Sequence, residues 1–251
     1  MKQNELQLLL EEMSLEEKVG QLVQISIQSL GEHGVITGPA GSYSLSDQEK
    51  SMLGSVLGAS GAERLIAIQK DQMERQPHHI PMLFMRDVIN GHETIFPIPL
   101  AQSCTFRPEL AETAARIAAK EAAASGIHVT FAPMLDLVHD ARWGRVMESP
   151  GEDPYLNSLM GQAMVRGFQD DDIKSEGSVA ACLKHFAGYG APEGGRDYDN
   201  VELSERTLRE DYLPAYRADK DYSKLEELRN LHIERGELEQ ELQDLEQEQV
   251  A

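Results

Sequence analysis

Short apolar runs alternate with longer amphipathic segments along this chain. Runs of this length are too short for a helix and are typical of strands buried on both faces. They occupy residues 24–27, 55–57, 79–87, 128–133 and 179–183. The segments between them predict helices at residues 4–13, from 14, and at 61–74, 108–125, 155–169 and 201–215. Strand, loop and helix recur about every 30 to 50 residues, as in a parallel α/β barrel or an open parallel sheet.

The last apolar run ends in two polar side chains, Lys184 and His185, and a glycine-rich loop follows. In parallel α/β proteins, such strand ends are where a site is built. The loop adds charges of both signs: Glu193, Arg196 and Asp197. The alternative is a surface loop with unpaired charges, and the Lys-His pair by itself leaves both interpretations open.

The run at residues 79–87 also ends in charge, with Arg86 and Asp87. A carboxylate at the end of a buried strand either contacts a ligand or caps the next segment. We favour the ligand contact, because a parallel barrel gathers such strand ends on one face.

A polar segment follows the strand predicted at residues 128–133 and holds the only tryptophan of the chain. Its candidate residues are Asp136, His139, Asp140, Arg142, Trp143 and Arg145. An indole beside guanidinium groups suits a sugar face, a carboxylate or a phosphate. The alternative is an Arg–Asp salt-bridge network with a buried Trp, which we favour for Arg142 and His139.

Composition narrows the classes of function. The 251 residues have an apolar fraction of 41%, which supports a core, and the formal net charge is −20. That charge argues against nucleic acid and anionic membranes as partners. No apolar run approaches the roughly 20 residues of a membrane span, and the N-terminus lacks a signal-peptide pattern.

The metal-ligating residue types give a further set of expectations. Cys104 and Cys182 sit in apolar surroundings and are predicted to be reduced core residues, so we expect a cytoplasmic protein. The histidines show no tight ligand spacing apart from the adjacent pair His78 and His79. We therefore expect no metal and no cofactor.

From residue 219 onward the composition shifts to Glu and Gln, with almost no glycine and no proline. Leucines recur at spacings of three, four and seven: Leu228, Leu231, Leu238, Leu242 and Leu245. This pattern predicts a helical tail that is solvated or weakly associating.

An ordered set of motifs carries a family resemblance. The first half supplies Met13-Ser-Leu-Glu-Glu-Lys-Val-Gly-Gln-Leu, Ile80-Pro-Met-Leu-Phe, Asp87-Val-Ile-Asn-Gly-His and Thr94-Ile-Phe-Pro-Ile-Pro-Leu. The second supplies Phe131-Ala-Pro-Met-Leu-Asp, Arg142-Trp-Gly-Arg-Val-Met-Glu-Ser-Pro-Gly-Glu-Asp-Pro and Leu183-Lys-His-Phe-Ala-Gly-Tyr-Gly. Together they resemble glycoside hydrolase family 3, of the bacterial β-glucosidase type, from about Ser14 to Arg217.

The resemblance implies a barrel of the triose-isomerase type and retaining hydrolysis of terminal β-D-glucosyl residues, with a β-glucoside or oligosaccharide as substrate. In that chemistry an Asp nucleophile forms a glycosyl-enzyme intermediate and a separate carboxylate is the acid/base. It further implies that Asp87 accepts hydrogen bonds from hydroxyls of the nonreducing sugar. Its other hydroxyls would be bound by Arg145, Lys184 and His185, with Arg196 lining the same pocket.

The sequence departs from the family at the nucleophile. The family carries it in a Ser-Asp-Trp type motif after a later strand, and no such motif follows Arg217. The domain that supplies the acid/base is not matched either. We therefore expect a partial TIM-like (β/α) barrel over residues 1–217, truncated before the nucleophile, and a long C-terminal helix in an acidic tail over residues 218–251.

These departures lead us to expect that the chain is inactive alone and that it self-associates through an exposed barrel edge or the tail. One alternative is a non-catalytic sugar-binding or oligomerising module. Another, a metal-dependent hydrolase using Asp136, His139 or Glu148, is weak because the ligand spacing is missing.

Overall fold

A computed structural model describes residues 3–30 and 45–218 of the chain. Within these residues, five strands form one parallel sheet in chain order. They are β1 (Gln24–Ser26), β2 (Ser55–Leu57), β3 (Leu83–Arg86), β4 (Val129–Thr130) and β5 (Ala180–Ala181). Each strand pairs in parallel with the next, as Gln24 with Ser55 and Val129 with Ala180. This is the partial TIM-like (β/α) arrangement predicted from the sequence.

Helices precede, connect and follow the strands. They are α1 (Gln3–Glu12), α2 (Leu15–Leu22), α3 (Asp47–Ser51), α4 (Ala62–Arg75), α5 (Pro99–Ser103), α6 (Pro108–Ala124), α7 (Pro154–Gln169), α8 (Glu205–Thr207) and α9 (Leu213–Ala218). A π-helical stretch, Leu208–Tyr212, joins α8 to α9. None of the helices in the described ranges is long and apolar enough to cross a membrane.

Local sequence signals set several helix boundaries. The Ser14 hydroxyl accepts a hydrogen bond from the Glu17 amide, and the Glu17 carboxylate accepts one from the Ser14 amide at 2.7 Å. This reciprocal capping box begins α2 where the sequence predicts it. A proline occupies the first turn of both α6 and α7, where its missing N–H costs no hydrogen bond.

The hydrophobic core lies between the sheet and the helices. Buried strand residues such as Val56 and Phe84 share one cluster with the alanines of α6 and with Phe168 of α7. A Cβ on Gly167 would lie 2.4 Å from the Glu112 backbone oxygen, so α6 and α7 approach more closely than a side chain at residue 167 would permit. Small residues on both helices are therefore required where the two pack together.

Apart from β2, which matches its apolar run, the strands are shorter than their runs predict. Apolar character reports burial, whereas a strand also needs consecutive ladder hydrogen bonds, and the prolines beside β3 and β4 have no N–H to donate. Two short helices, α3 and α5, were not predicted. The first begins with a Ser46–Glu49 capping box between β1 and β2, and the second lies between β3 and α6.

Two further expectations concern the cysteines and the tail helix. Cys104 is exposed and Cys182 partly buried, so the prediction of two core cysteines is wrong for Cys104. The reason is that Cys104 ends the short helix α5, which the sequence did not reveal. The predicted tail helix lies outside the described residues.

Candidate functional site

The polar residues that follow β3, β4 and β5 lie at one edge of the sheet. Asp87 comes directly after β3, Asp136 follows β4, and Lys184 follows β5. The pairing of the last two strands continues beyond them, because the Leu135 amide donates to the Lys184 carbonyl at 2.7 Å. Since parallel strands all point the same way, their carboxyl ends bring these side chains together.

Lys184 is the buried cation of this edge. Its Nζ donates to Asp87 Oδ1 at 2.7 Å and lies 4.0 Å from Glu148 Oε2. The Lys184 side chain is 11% exposed and that of Asp87 is 52% exposed. Two carboxylates therefore offset the cost of burying the ammonium group. The Asp87 carboxylate is still exposed enough to accept a hydrogen bond from a ligand.

Arg145 is held on two sides. Its Nε and Nη2 donate to the two Glu148 carboxylate oxygens at 2.7 and 2.8 Å, and its guanidinium lies 5.6 Å from the centre of the Tyr189 ring. Hydrogen bonding to Arg145 holds the pKa of the Glu148 carboxyl below its usual range, and the same pair raises the pKa of Arg145. A bidentate pair leaves the guanidinium little freedom to turn.

His185 is attached to the buried carboxyl group of Asp136. The His185 amide donates to Asp136 Oδ2 at 3.0 Å, and Nδ1 lies 2.6 Å from the same oxygen. Nε2 lies 3.4 Å from Arg145 Nη1. Burial raises the pKa of Asp136, while its bonds to His185 act in the opposite direction.

Tyr189, Trp143 and Asp197 form one wall beside these residues. Asp197 Oδ1 accepts a hydrogen bond from Trp143 Nε1 at 2.9 Å and another from the Tyr189 hydroxyl. Burial, followed by the bond to Asp197, raises the pKa of Tyr189 to about 12. Trp143 is only 1% exposed, so its indole supports the wall from behind and presents no face to a sugar.

Trp143, Arg142 and His139 thus match the alternative interpretation of this segment, a salt-bridge network with a buried Trp. Arg142 forms an ion pair with Asp140 at 2.6 Å, and the His139 ring lies 6.1 Å from that of Tyr212. Neither Arg142 nor His139 contacts the network around Lys184 in the part of the chain that the structure describes.

Arg196 differs from the other predicted site residues. Its side chain is exposed and forms no hydrogen bond or ion pair with any residue in the described ranges. Lys184 instead pairs with Asp87 and lies near Glu148, Glu148 pairs with Arg145, and Arg145 contacts His185 directly. The structure therefore brings four predicted residues together and leaves Arg196 apart.

An open groove borders this network. It has a volume of about 370 Å³ and is lined by Arg145 and His185 together with exposed aromatic rings, those of Phe186 and Tyr198. Of the charged network, Arg145 lines the groove itself, and Glu148 and Lys184 are linked to it through Arg145. Such a set suits a ligand that presents several hydroxyl groups on a rigid ring. No group of three metal-ligating side chains occurs within the described residues.

Comparison with known families decides the classification. Residues 14–241 match the profile described as the glycosyl hydrolase family 3 N terminal domain. The chain belongs to glycosyl hydrolase family 3. The family resemblance carried by the sequence motifs is thereby confirmed, as is the class of glycoside hydrolases.

Curated relatives in glycosyl hydrolase family 3 are named as enzymes that act on β-glycosides. A periplasmic β-glucosidase of Salmonella typhimurium is 36% identical over 213 residues, covering 85% of this chain and 27% of that protein. A lysosomal β-glucosidase of Dictyostelium discoideum is 34% identical over 233 residues, covering 83% and 28%. The chain thus spans less than a third of the length of these relatives.

Solved structures of the family agree with this fold. A β-glucosidase from Listeria innocua in complex with isofagomine has a TM-score of 0.82 and 47% identity, covering 87% of this chain and 30% of that one. A β-glucosidase of intestinal bacteria involved in saponin metabolism has a TM-score of 0.69 and 33% identity, with coverage of 84% and 27%.

The expected cytoplasmic location is wrong by the same comparison. The two curated relatives named above are a periplasmic and a lysosomal enzyme. The expectation rested on a low cysteine count, which says only that disulfides are not required for stability and does not constrain the compartment.

Sequence reasoning missed three residues that organise this family 3 site. Asp136 was a candidate of its polar segment without an assigned sugar-site role, Glu148 was considered only for a metal centre, and Tyr189 was not considered at all. Asp136 could have been found, since it follows a buried strand as Asp87 and Lys184 do. Glu148 lies three residues after Arg145, a spacing that allows a local ion pair but does not predict one.

Proposed function

We propose that this chain forms the part of a family 3 β-glucosidase that binds the nonreducing sugar, whose terminal β-D-glucosyl residue is removed by a retaining mechanism. One observation carries the proposal: Asp87 and Glu148 hold Lys184, and Glu148 also holds Arg145, at the carboxyl edge of the sheet, where the family resemblance implies sugar-binding residues. The solved relatives include a β-glucosidase from Listeria innocua in complex with glucose.

The proposed roles follow from hydrogen-bonding capacity. Asp87 accepts from sugar hydroxyls, because its carboxylate is half exposed and only one of its oxygens is bonded to Lys184. Lys184 and Arg145 donate, since neither can accept. His185 supplies a further polar contact. The role of Arg196, whose side chain has no partner within the described residues, stays a prediction.

Calorimetric titration of the 251-residue chain with glucose tests this proposal. Asp87→Ala removes a charged acceptor, and hydrogen bonds to charged groups contribute about 1.5–3 kcal/mol, so the dissociation constant is expected to rise roughly 10- to 150-fold. Asp140→Ala is the matched control, because Asp140 pairs with Arg142 outside the network. Equal effects of the two substitutions, or no glucose binding by the wild-type chain, would contradict the proposal.

We also propose that a polypeptide of these 251 residues binds the sugar without hydrolysing it at an enzymatic rate. The absence of a Ser-Asp-Trp motif after Arg217 supports this, and it is the feature that favours a non-catalytic sugar-binding module as the second candidate. Release of nitrophenol from an aryl β-glucoside is expected at background rate. Turnover comparable to that of a working glycosidase would show that a nucleophile is present.

A β-glucoside or oligosaccharide is accordingly the proposed ligand. Self-association through the barrel edge or the tail stays a prediction. Exposed apolar side chains on α2, Leu15 at 72% and Leu22 at 86% exposure, are compatible with self-association.

A further inference from the structure

Asp136 is a buried carboxyl group with one hydrogen-bonding neighbour among the described residues. Its side chain is 0% exposed, and the only hydrogen bonds it receives within the described residues come from His185. Oδ1 is buried without a partner there. Burying a carboxylate is costly unless it is hydrogen bonded, so its retention at this position calls for an explanation beyond packing.

Two contacts on opposite sides of the imidazole require the same tautomer. The carboxylate oxygen already accepts the His185 amide proton, and at 2.6 Å it accepts from Nδ1 as well, so Nδ1 carries the ring proton. On the far side, Arg145 Nη1 at 3.4 Å can only donate, so Nε2 must be an acceptor. Neither contact depends on the other, yet both place the proton on Nδ1.

We propose that Asp136 is a positioning residue that fixes His185 as the Nδ1-protonated tautomer, so that the Nε2 lone pair, which takes only the long 3.4 Å contact from Arg145 in the chain without sugar, accepts from a sugar hydroxyl when the sugar binds. The sugar contact rests on the function proposed above, whereas the tautomer does not. With this assignment, Asp87 and His185 accept while Lys184 and Arg145 donate. A bound ring is then held in the one orientation that matches this order.

The other ionisable groups near the pair do not offer a competing explanation. Arg145, Glu148 and Tyr189 lie on the His185 side, and Arg145 and Glu148 satisfy one another. Tyr212 and Tyr216 lie near Asp136, and burial raises the pKa of both hydroxyls, so they stay neutral. Among the described residues, His185 is therefore the only group that bonds the Asp136 side chain.

Nitrogen NMR of the chain labelled with ¹⁵N-imidazole histidine tests the tautomer directly. The signal of His185, assigned by its loss in His185→Gln, is expected to show a protonated Nδ1 and a bare Nε2. Asp136→Ala should shift His185 toward the tautomer mixture of free histidine, because the 2.6 Å contact is lost and the remaining 3.4 Å contact with Arg145 is weak. Asp136→Asn should retain the protonated Nδ1, because the amide oxygen can still accept both bonds.

The other histidines within the described residues (His78, His79, His92, His128 and His139) report folding, since their signals should not change. A His185 protonated on Nε2 in the wild-type chain overturns the proposal, as does an unchanged His185 signal in Asp136→Ala. If Asp136→Ala does not fold, the wild-type spectrum and Asp136→Asn still decide, because loss of the protonated Nδ1 in the asparagine variant would also contradict it.

Glucose titration separates this proposal from the proposed function. Asp136→Ala is expected to weaken glucose binding about tenfold, the effect of one misplaced hydrogen bond, and Asp136→Asn by less than about threefold. Wild-type binding that Asp136→Ala leaves unchanged overturns the positioning role. The predicted tautomer in a chain that binds no glucose overturns the sugar function and leaves the tautomer assignment intact.

Discussion

Glu148 is the carboxylate shared by both cations of the site. It forms a bidentate pair with Arg145 at 2.7 and 2.8 Å and lies 4.0 Å from Lys184 Nζ. The Arg145 and Glu148 side chains are only 23% and 21% exposed, so water screens the pair weakly. Glu148→Gln keeps the shape of the side chain, removes the charge and turns one acceptor into a donor that faces the guanidinium.

The expected cost follows from this geometry. Loss of one charge-assisted hydrogen bond at a half-buried site destabilises the fold by about 2 kcal/mol. For a chain of this length, that corresponds to a fall in the melting temperature of about 4–8 °C. Glucose affinity should fall too, because Arg145 loses the partner that orients it.

The effect should depend on pH in a defined direction. Bonding to Arg145 lowers the pKa of Glu148 in the folded chain below its unfolded value, which is about 4.3. The carboxylate therefore contributes stability that is present above the unfolded pKa and lost as the pH falls through the folded pKa. The difference between wild type and Glu148→Gln should be complete at neutral pH and should shrink in acid.

Urea denaturation followed by circular dichroism, at neutral and acidic pH, measures this difference. Glu210→Gln is the matched control, because Glu210 pairs with Arg206 at 2.9 Å with exposures of 59% and 82%. An exposed pair of this kind is worth about 0.5 kcal/mol or less. If Glu148→Gln costs no more than Glu210→Gln, or if its cost is the same in acid, the reasoning is refuted.

Two further predictions concern the backbone near the site and the thiols. Gly190→Ala should destabilise the chain by at least about 2 kcal/mol in urea titrations, because the added Cβ would lie 2.2 Å from a backbone carbonyl oxygen. The control is Gly144→Ala, which should change stability by less than about 0.5 kcal/mol because no atom lies within 4 Å of its added Cβ. Similar costs for the two substitutions would argue against the backbone contact. In the folded chain, Cys104 should react with a thiol reagent well before Cys182, because Cys104 is the exposed cysteine of the two. Mass spectrometry of the modified peptides measures the order of reaction, and modification of Cys182 first would contradict the prediction.

Much of the fold was predictable from local patterns. The apolar runs identified each strand that the structure describes, and the helix starts predicted at residues 14, 61, 108 and 155 lie within one residue of those of α2, α4, α6 and α7. Boundaries were less predictable, because a strand ends where its neighbour stops offering hydrogen bonds. Short helices such as α3 have too few residues to produce a periodic pattern.

The amino-acid sequence by itself determined the parallel α/β class, the family and the strand-end residues Asp87 and Lys184, because apolar runs and their polar ends are local properties of the chain. The tertiary structure alone decided which groups bond to one another. Lys184 and Asp87 are 97 positions apart, and His185 and Asp136 are 49 apart. Hydrogen bonds at such separations depend on strand register and loop path, so the bond between His185 and Asp136 and the separation of Arg196 from the described network follow only from the folded chain.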